Sequence, residues 1–436
     1  MQKYIFVFLL AAAVARAEVH SLTLREALEI ASRQNPDIAL AHLDQQRTEQ
    51  GIKVAKDPFR PKVYGGSGLA YTYGYPNSID GNAPSIFEVK TDMALYNRPD
   101  SFLLAEAKES ARGASLGAQA KADDVAYQTA SLFLDARQAE NVAETISAEI
   151  PDLRKVVDVT SSQVAEGVQL PLELMQANVN LEAAQQRVDN ARLDADYLEM
   201  MLAVTLGYPV TDRVHPIESK LPDVPEQPVS EDEATRVALN NNKELREMRS
   251  NVLAKELELH SYRSERLPQV NLVAQYALFA KYNYAQYFQK FQSNNFQIGA
   301  SITIPLLVGS SFSGRADQAA TDMQKIRIQM EQLRNRVTTD TRHSYQEWKR
   351  AQESLHLTHS QLDLAREQLT VLLAQNAEGK VTMGALEQAR VAESNDWIAL
   401  YEAQNTVLRA QLAILRQMGT LMAAVRGVPM EASPKP

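Results

Sequence analysis

The sequence predicts a mainly α-helical fold with a small β component, built from one structural unit that occurs twice. Three observations support this prediction: a helix-favouring composition, an ordered internal repeat and four segments of alternating polarity. Gly and Pro number only 17 and 18 in 436 residues, so long helices meet few breakers. Hydrophobic residues at 45% and charged residues at 23% favour a folded chain over a disordered one.

The composition also excludes several classes of protein. The chain has no cysteine, which excludes a disulfide scaffold, a thiol nucleophile, a Cys-ligated zinc site and a lipid-modified N-terminal Cys. A formal net charge of −9 argues against a nucleic-acid partner held by phosphate contacts. We find no zinc motif, phosphate-binding loop or other catalytic constellation. We therefore expect neither an enzyme nor a bound cofactor or metal.

The first residues have the pattern of an export signal. Lys3 provides a positive start, an apolar run follows over 5–14, and Ala15-Arg16-Ala17 has the small-x-small form of a cleavage site. The run is shorter than the ~20 residues that a membrane-spanning helix needs. The alternative is a buried N-terminal helix. We predict that residues 1–17 are a secretory signal peptide and that the protein is exported.

The remaining chain contains two copies of one pattern. A shift of 207 residues places Glu26 on Glu233 and Asn35 on Asn242, and a later shift of 212 residues places Gly207 on Gly419. Because the matches keep their order along the chain, we interpret them as a tandem duplication. The predicted repeats span 18–228 and 229–425, and residues 426–436 form a flexible tail.

Each repeat is predicted to follow the same order of elements. Two helices come first, near 22–33 and 37–57 in the first repeat and near 231–240 and 244–265 in the second. A β-hairpin, a long helix, a glycine-containing turn and a returning helix follow. The hairpins are expected at 62–95 and 269–304, and the turns at tips near 167–171 and 379–383.

The strands alternate between apolar and polar residues. Phe87, Val89 and Met93 alternate with charged residues, and Phe296, Ile298, Ala300, Ile302 and Ile304 do the same with polar ones. The other apolar positions are Val63, Leu69, Tyr71, Tyr73, Tyr75, Leu95, Val270, Leu272, Tyr276 and Leu278. A soluble sheet with one wet face and a membrane barrel both fit this pattern. Since four strands cannot close a barrel, the membrane interpretation requires a homo-oligomer.

The helices are too long for an ordinary globular domain. Residues 314–377 contain no proline and would reach ~96 Å at ~1.5 Å per residue. Apolar and small residues recur there at the 3-4 spacing of a coiled-coil seam, as in Leu355, Thr358, Leu362, Ala365 and Leu369. In the first repeat, Pro151 is expected to break or kink the equivalent helix.

The turns between the paired helices are candidate docking points. Gly167 and Gly379 occupy positions where a helix C-cap favours glycine, and Thr382 is a plausible N-cap. An ordinary αα-hairpin turn is the alternative interpretation. The residues that we assign to partner docking are Glu166, Gly167, Val168, Leu170, Pro171, Glu378, Gly379, Lys380, Val381 and Thr382.

Together these features resemble the outer-membrane efflux protein family, the TolC-like exit ducts. The resemblance rests on the doubled opening that runs from Ala27 to Pro36 in the first copy, and on Pro-x-Val strand starts at Pro61 and Pro268. It also rests on the Glu-Gly turns, followed by Leu-x-Gln-Ala at 174–177 and 386–389. The family implies a homotrimer in the outer membrane lipid. Four strands per chain would form a twelve-stranded transmembrane β-barrel, continued by a coiled-coil tunnel across the periplasm.

The resemblance also implies partners and a gate. A periplasmic membrane-fusion adaptor would meet the hairpin tips, and an inner-membrane transporter would supply the substrate for efflux or type I secretion. Some relatives carry acidic residues just after the second turn; here the matching positions are Ala385 and Gln388, with Glu173 and Gln176 in the first repeat. These four residues are the expected periplasmic gate. A soluble periplasmic scaffold or adaptor is the alternative function.

Overall fold

The computed structural model describes residues 18–68, 85–217, 230–279, 293–306, 309–378 and 380–425. The predicted signal peptide, the strand residues 69–75, the tip residue Gly379 and the tail 426–436 lie outside the described residues. The first repeat contains β1 Val19–Leu22, α1 Leu24–Gln34, α2 Pro36–Lys56, β2 Lys62–Gly66, β3 Ser85–Tyr96, α3 Arg98–Ala165, α4 Pro171–Leu206 and β4 Arg213–Pro216. The second contains α5 Glu231–Asn241, α6 Lys243–Ser264, β5 Gln269–Phe279, β6 Asn294–Thr303, α7 Ser310–Ala377, α8 Met383–Gln417 and α9 Leu421–Val425.

The chain divides into two compact units that each draw on both repeats. One unit comprises 41–118 and 243–334 and contains β2, β3, β5 and β6. The other comprises 1–40, 119–242 and 335–436 and contains β1, β4, α4 and α8. Helices α2, α3 and α7 contribute segments to both units. Within the ranges that the structure describes, no helix is both long and apolar enough to cross a membrane.

The first unit contains an antiparallel four-stranded sheet in the order β2-β3-β5-β6. Strands β2 and β3 pair antiparallel, as do β5 and β6, and the pairing of β3 with β5 joins one repeat to the other. One row across the sheet is apolar, with Val89, Tyr276 and Phe296 in register. The next row is polar, with Lys90, Gln275 and Gln297 in register. The predicted alternation therefore produces one apolar and one polar face.

Both repeats begin with capped helices. Thr23 accepts a hydrogen bond from the Glu26 backbone N–H, and the Glu26 carboxylate accepts one from the Thr23 backbone N–H at 2.9 Å. In the second repeat, Ser230 accepts from the backbone N–H of Glu233 at 3.2 Å. These caps satisfy helix N–H groups that lack an intrahelical partner. They fix the starts of α1 and α5 at equivalent positions.

The two repeats also use the same contact between their first and last helices. The Asn35 side chain donates to the Thr205 carbonyl at 2.7 Å, and Asn242 donates to the Gln417 carbonyl at 3.3 Å. Nearby, Gly207 has a φ of 89°, and a Cβ there would lie 2.6 Å from the Gln34 carbonyl oxygen. Only glycine combines this left-handed backbone with so close an approach.

The second glycine repeats this arrangement. Gly419 has a φ of 66°, and a Cβ there would lie 2.9 Å from the Asn241 carbonyl oxygen. The paired positions follow the same two shifts that relate the repeats in the sequence. The duplication thus extends from the sequence to individual packing contacts.

The predicted break at Pro151 is wrong. Helix α3 continues for 68 residues from Arg98 to Ala165 with Pro151 inside it. Proline removes one intrahelical hydrogen bond, but Ile146 and Leu153 on either side are buried against Ala184 and Val188 of α4. This packing holds both flanks of the proline in helical geometry.

Side-chain contacts join the four long helices of the second unit. The apolar cluster around Ile146 joins α3 to α4, whereas ion pairs join α3 to α8. Arg366 of α7 lies 3.6 Å from Glu393 of α8, and its guanidinium lies 4.4 Å from the ring centre of Trp397. Helix α8 also contacts α4, because Arg187 donates to Asn395 at 3.4 Å and Ile398 packs against the Ile146 cluster. The predicted seam positions Thr358, Leu362 and Ala365 of α7 are buried.

Candidate functional site

The first tip joins α3 to α4 in a tight turn. Gly167 adopts a φ of 75°, and the N–H of Val168 donates to the carbonyl of Gln163 at 2.8 Å. This is the glycine cap that the sequence predicts. Leu170 precedes Pro171, the first residue of α4, and makes no side-chain capping hydrogen bond. Val168 and Leu170 are 70% and 65% exposed.

The second tip joins α7 to α8 and has a different N-cap. Thr382 accepts a hydrogen bond from the Ala385 backbone N–H at 3.3 Å, which confirms the predicted cap. Asn376 donates to the Val381 carbonyl at 3.0 Å and closes the turn. The side chains of Glu378 and Lys380 form an exposed ion pair. The first tip thus presents two apolar side chains beside the exposed Glu166, and the second presents an ion pair.

Three of the four predicted gate residues lie together. Glu173 and Gln176 of α4 and Gln388 of α8 line a cavity of about 730 Å³. Leu153 and Val156 of α3 also line it. The fourth predicted residue, Ala385, does not line this cavity. Glu387, which precedes Gln388 in α8, lines the same cavity.

Glu387 is the buried carboxylate of this site. It is 7% exposed, and its Oε1 accepts no hydrogen bond from the described part of the chain. Burial raises the pKa of Glu387, the nearby Arg390 lowers it, and Asp152 and Glu149 raise it further. The Arg390 guanidinium lies 3.5 Å from Glu387 and also pairs with Asp152.

The neighbouring carboxylate Glu149 is also half-buried. Burial raises its pKa, while a hydrogen bond with Ser394 and the charge of Arg187 oppose that shift. Glu149, Asp152, Glu387, Arg390 and Ser394 line a second cavity of about 370 Å³. Charged groups from α3, α4 and α8 therefore converge beside the predicted gate.

The seam between α3 and α8 is held by arginine–aspartate pairs. Arg390 pairs with Asp152, Arg409 lies 2.9 Å from Asp135, and Arg416 lies 2.7 Å from Asp124. As the position on α8 rises, the position on α3 falls, so the two helices are antiparallel. Asn405 adds hydrogen bonds to Asp135 and Gln138. An ionic seam of this kind responds to charge changes more than the apolar α3–α4 contact does.

A histidine ties α4 and α3 to β4. The two ring nitrogens of His215 lie 2.9 Å from Glu199 and 3.4 Å from Glu140. The hydrogen bond with Glu199 raises the pKa of His215, burial lowers it, and the charges of Glu140, Glu199 and Glu144 add to the increase. Burial raises the pKa of Glu140 as well. The junction is therefore strongest with the imidazole protonated.

Comparison with known proteins finds a family match in the second repeat. Residues 235–420 match the family described as outer membrane efflux protein. The resemblance predicted from the sequence is thus confirmed. A search of curated proteins gives no match.

Solved structures of bacterial outer membrane proteins share the fold. The Campylobacter jejuni outer membrane channel CmeC is 12% identical, with a TM-score of 0.74 over 91% of this chain and 86% of CmeC. The Vibrio cholerae outer membrane protein VceC is 14% identical, with a TM-score of 0.72 over 91% of this chain and 96% of VceC. The Neisseria gonorrhoeae MtrE outer membrane channel, in its open state, is 15% identical, with a TM-score of 0.71 over 91% of this chain and 89% of MtrE. These similarities cover both repeats and confirm the mainly α fold with its tandem helical hairpins.

Sequence reasoning missed the charged part of this efflux-protein fold. Asp152 and Arg390 are 238 positions apart, and no local pattern links them. A usable signal existed in α8, where the polar Asn405 continues the 3-4 spacing of Ile398, Tyr401, Leu408 and Leu412. A polar residue in a helix seam commonly specifies register. That signal indicates a polar α8 seam but does not identify the aspartates of α3.

Proposed function

We propose that the protein is a passive outer-membrane duct, serving as the exit of a tripartite efflux pump or a type I secretion system. The carrying observation is the apolar face of the β-sheet. Phe296, Ile298 and Ile302 on β6 are 67%, 66% and 65% exposed. A contiguous apolar face of this kind is costly in water and favourable in lipid. Strands β3, β5 and β6 have 12, 11 and 10 residues, enough to cross a bilayer at a tilt.

The sheet requires partners if it lies in lipid. Strands β2 and β6 are its two edges among the described strands. Unpaired edge groups cost several kcal/mol each in a bilayer, so the edges must pair with other chains. A homotrimer would join three sheets into the twelve-stranded barrel that the family resemblance implies.

Exposed apolar stripes on α4 and α7 support the same assembly. On α4, Leu172, Val179 and Leu193 are exposed and lie at multiples of seven residues. On α7, the exposed residues Leu357, Leu364 and Val371 have the same spacing. Because both sets of residues are exposed and follow a heptad spacing, these seams are suited to pairing between chains. Repetition around three protomers would close the helices into a tunnel.

The tips and the cavity complete the proposal. The exposed apolar residues Val168 and Leu170 at the first tip would dock a periplasmic adaptor, with the charged second tip beside them. Glu173, Gln176 and Gln388 would form the periplasmic gate near these tips, with Ala385 one turn from Gln388. An inner-membrane transporter would supply the substrate, and no bond chemistry is needed in the duct.

The membrane placement is tested with two neighbouring substitutions on β6. Ile298→Lys puts a charge on the apolar face, and Gln297→Lys puts the same charge on the polar face. A charge on the lipid face near mid-membrane costs about 2–4 kcal/mol. We expect Ile298→Lys to reduce the detergent-extracted, heat-modifiable oligomer, while Gln297→Lys leaves its amount unchanged. A wild-type protein found in the soluble periplasmic fraction would instead favour the scaffold.

Conductance and docking are tested separately. The purified oligomer in a planar bilayer is expected to pass current, and lack of current under all conditions would contradict the duct. Leu170→Asp at the first tip is expected to reduce export by cells while the oligomer and its conductance persist. Full export with this variant would contradict the docking assignment alone.

A further inference from the structure

The start of the described chain lies against a buried carboxylate. Asp212, just before β4, is 7% exposed. Its Oδ1 accepts from the Glu18 backbone N–H at 3.4 Å and from the Thr211 hydroxyl at 3.2 Å. Its Oδ2 lies 3.3 Å from Nε2 of His20. Both oxygens therefore face Glu18, His20 or the adjacent Thr211.

The position of Glu18 is fixed by the strand pair that follows it. Strand β1 pairs with β4 in parallel, with Val19 opposite Arg213. The Arg213 N–H donates to the Glu18 carbonyl at 2.9 Å, before the ladder itself begins. The His20 ring stacks on Tyr208 with ring centres 4.2 Å apart. The Glu18 nitrogen is thus held at Asp212 by backbone geometry rather than by a flexible side chain.

The sequence places a cleavage pattern directly before this nitrogen. Ala15-Arg16-Ala17 has small residues at both positions that a signal peptidase reads. Hydrolysis of the Ala17–Glu18 bond adds one water molecule. It leaves a carboxylate on Ala17 and an α-amino group on Glu18, which takes up a proton below its pKa.

We propose that signal-peptide removal at Ala17–Glu18 creates an α-ammonium group that Asp212 binds as a buried ion pair, so that processing locks the β1–β4 strand pair. A single amide N–H becomes three charged N–H donors at the same place. Charge-assisted hydrogen bonds are about twice as strong as neutral ones. The inference requires export but is independent of channel activity.

The surroundings of Asp212 suit this role. Burial opposes ionisation of its carboxyl, yet hydrogen bonds from His20, Glu18 and Thr211 outweigh that effect and hold its pKa below the usual value. The carboxylate is therefore charged at neutral pH and ready for a cation. The other charged or titratable groups at this place are His20, Arg213, Tyr208 and the carboxylate of Glu18 itself.

The test combines processing with charge removal in the full-length exported protein. N-terminal sequencing of the mature chain is expected to begin at Glu18, and any other first residue would overturn the proposal. A Gly-Ser insertion after Ala17 moves the ammonium two residues from Asp212. We expect this insertion to lower the melting temperature when it is made in the wild-type chain. In a chain that already carries Asp212→Asn, the same insertion should leave the melting temperature unchanged. An equal fall in melting temperature in both chains would overturn the proposed ion pair.

A matched control and a direct readout complete the design. Asp194→Asn removes an exposed carboxylate from α4 in the same unit and should leave the effect of the insertion unchanged. The pairing should also raise the pKa of the α-amino group above its usual value of about 7.7–8.0. Amine acylation at Glu18 should therefore be slower in the native wild type than in the same chain unfolded in urea. Equal rates after correction for reagent access would overturn the proposal even if Asp212→Asn fails to fold.

Discussion

Replacing Arg390 with methionine tests the buried charges beside the predicted gate. The substitution keeps most of the side-chain volume but removes the cation that faces Glu387 and Asp152. Asp152 is 37% exposed and retains Lys155 at 2.9 Å, so it loses little. The side chain of Glu387 is only 10% exposed and has no other cation within ion-pair distance among the described residues. The main cost is therefore a buried, unpaired carboxylate.

The free-energy cost of Arg390→Met should lie between two known limits. Breaking a fully buried ion pair costs about 3–5 kcal/mol, whereas exposed pairs contribute about 0–1 kcal/mol. Because Arg390 itself is 32% exposed, we expect an intermediate cost of about 2 kcal/mol for opening the α3–α8 seam near it. This corresponds to roughly 30-fold faster hydrogen exchange of the α8 amides around Arg390.

Three comparisons make the prediction specific. Arg409→Met removes a more exposed cation from the same seam and should cost less than about 1 kcal/mol. Adding Glu387→Gln to Arg390→Met should restore the protection of the α8 amides from hydrogen exchange, since a neutral amide side chain needs no cation. Lowering the pH should reduce the Arg390→Met penalty, because a carboxyl with a raised folded-state pKa gains stability as it takes up its proton. Equal effects at Arg390 and Arg409, or a deeper loss with Glu387→Gln, would refute the reasoning.

The remaining predictions concern the turns and the histidine junction. Gly207→Ala should cost about 1–3 kcal/mol by thermal unfolding, from its left-handed φ and the clash with Gln34, whereas Gly384→Ala, which meets no atom within 4 Å, should be neutral or stabilising. Thr382→Ala should lower the free energy of unfolding by about 1 kcal/mol, because the N-cap hydrogen bond is lost. Thr382→Ser should keep most of that stabilisation, since serine also caps helices. Protonated His215 stabilises the folded state. This stabilisation is complete below the unfolded-state pKa of about 6.5 and is lost as the pH rises through the higher folded-state pKa. A His215→Gln variant should therefore lose the decline in melting temperature above that pH, and an unchanged decline would contradict the assignment.

Local physics explains what was predictable. Period-two alternation put Phe296 and Ile298 on one face of β6, and glycine marked the turn at Gly167, because both signals depend on neighbours within a few residues. The gate residues Glu173, Gln176 and Gln388 came from the family resemblance. Their grouping with Glu387 was not predicted, because the burial of a residue depends on which helix packs against it.

The amino-acid sequence alone determined the duplicated plan, the strands with their two faces, and the long helices with their tips. Each of these follows from short-range periodicity and from two copies that could be compared with each other. Tertiary structure alone decided that α3 continues through Pro151, that β3 pairs with β5, and that Arg390 meets Asp152 and Glu387. In each case the deciding free energy comes from packing or charge between residues far apart in the chain, where one sequence carries no record of its partner.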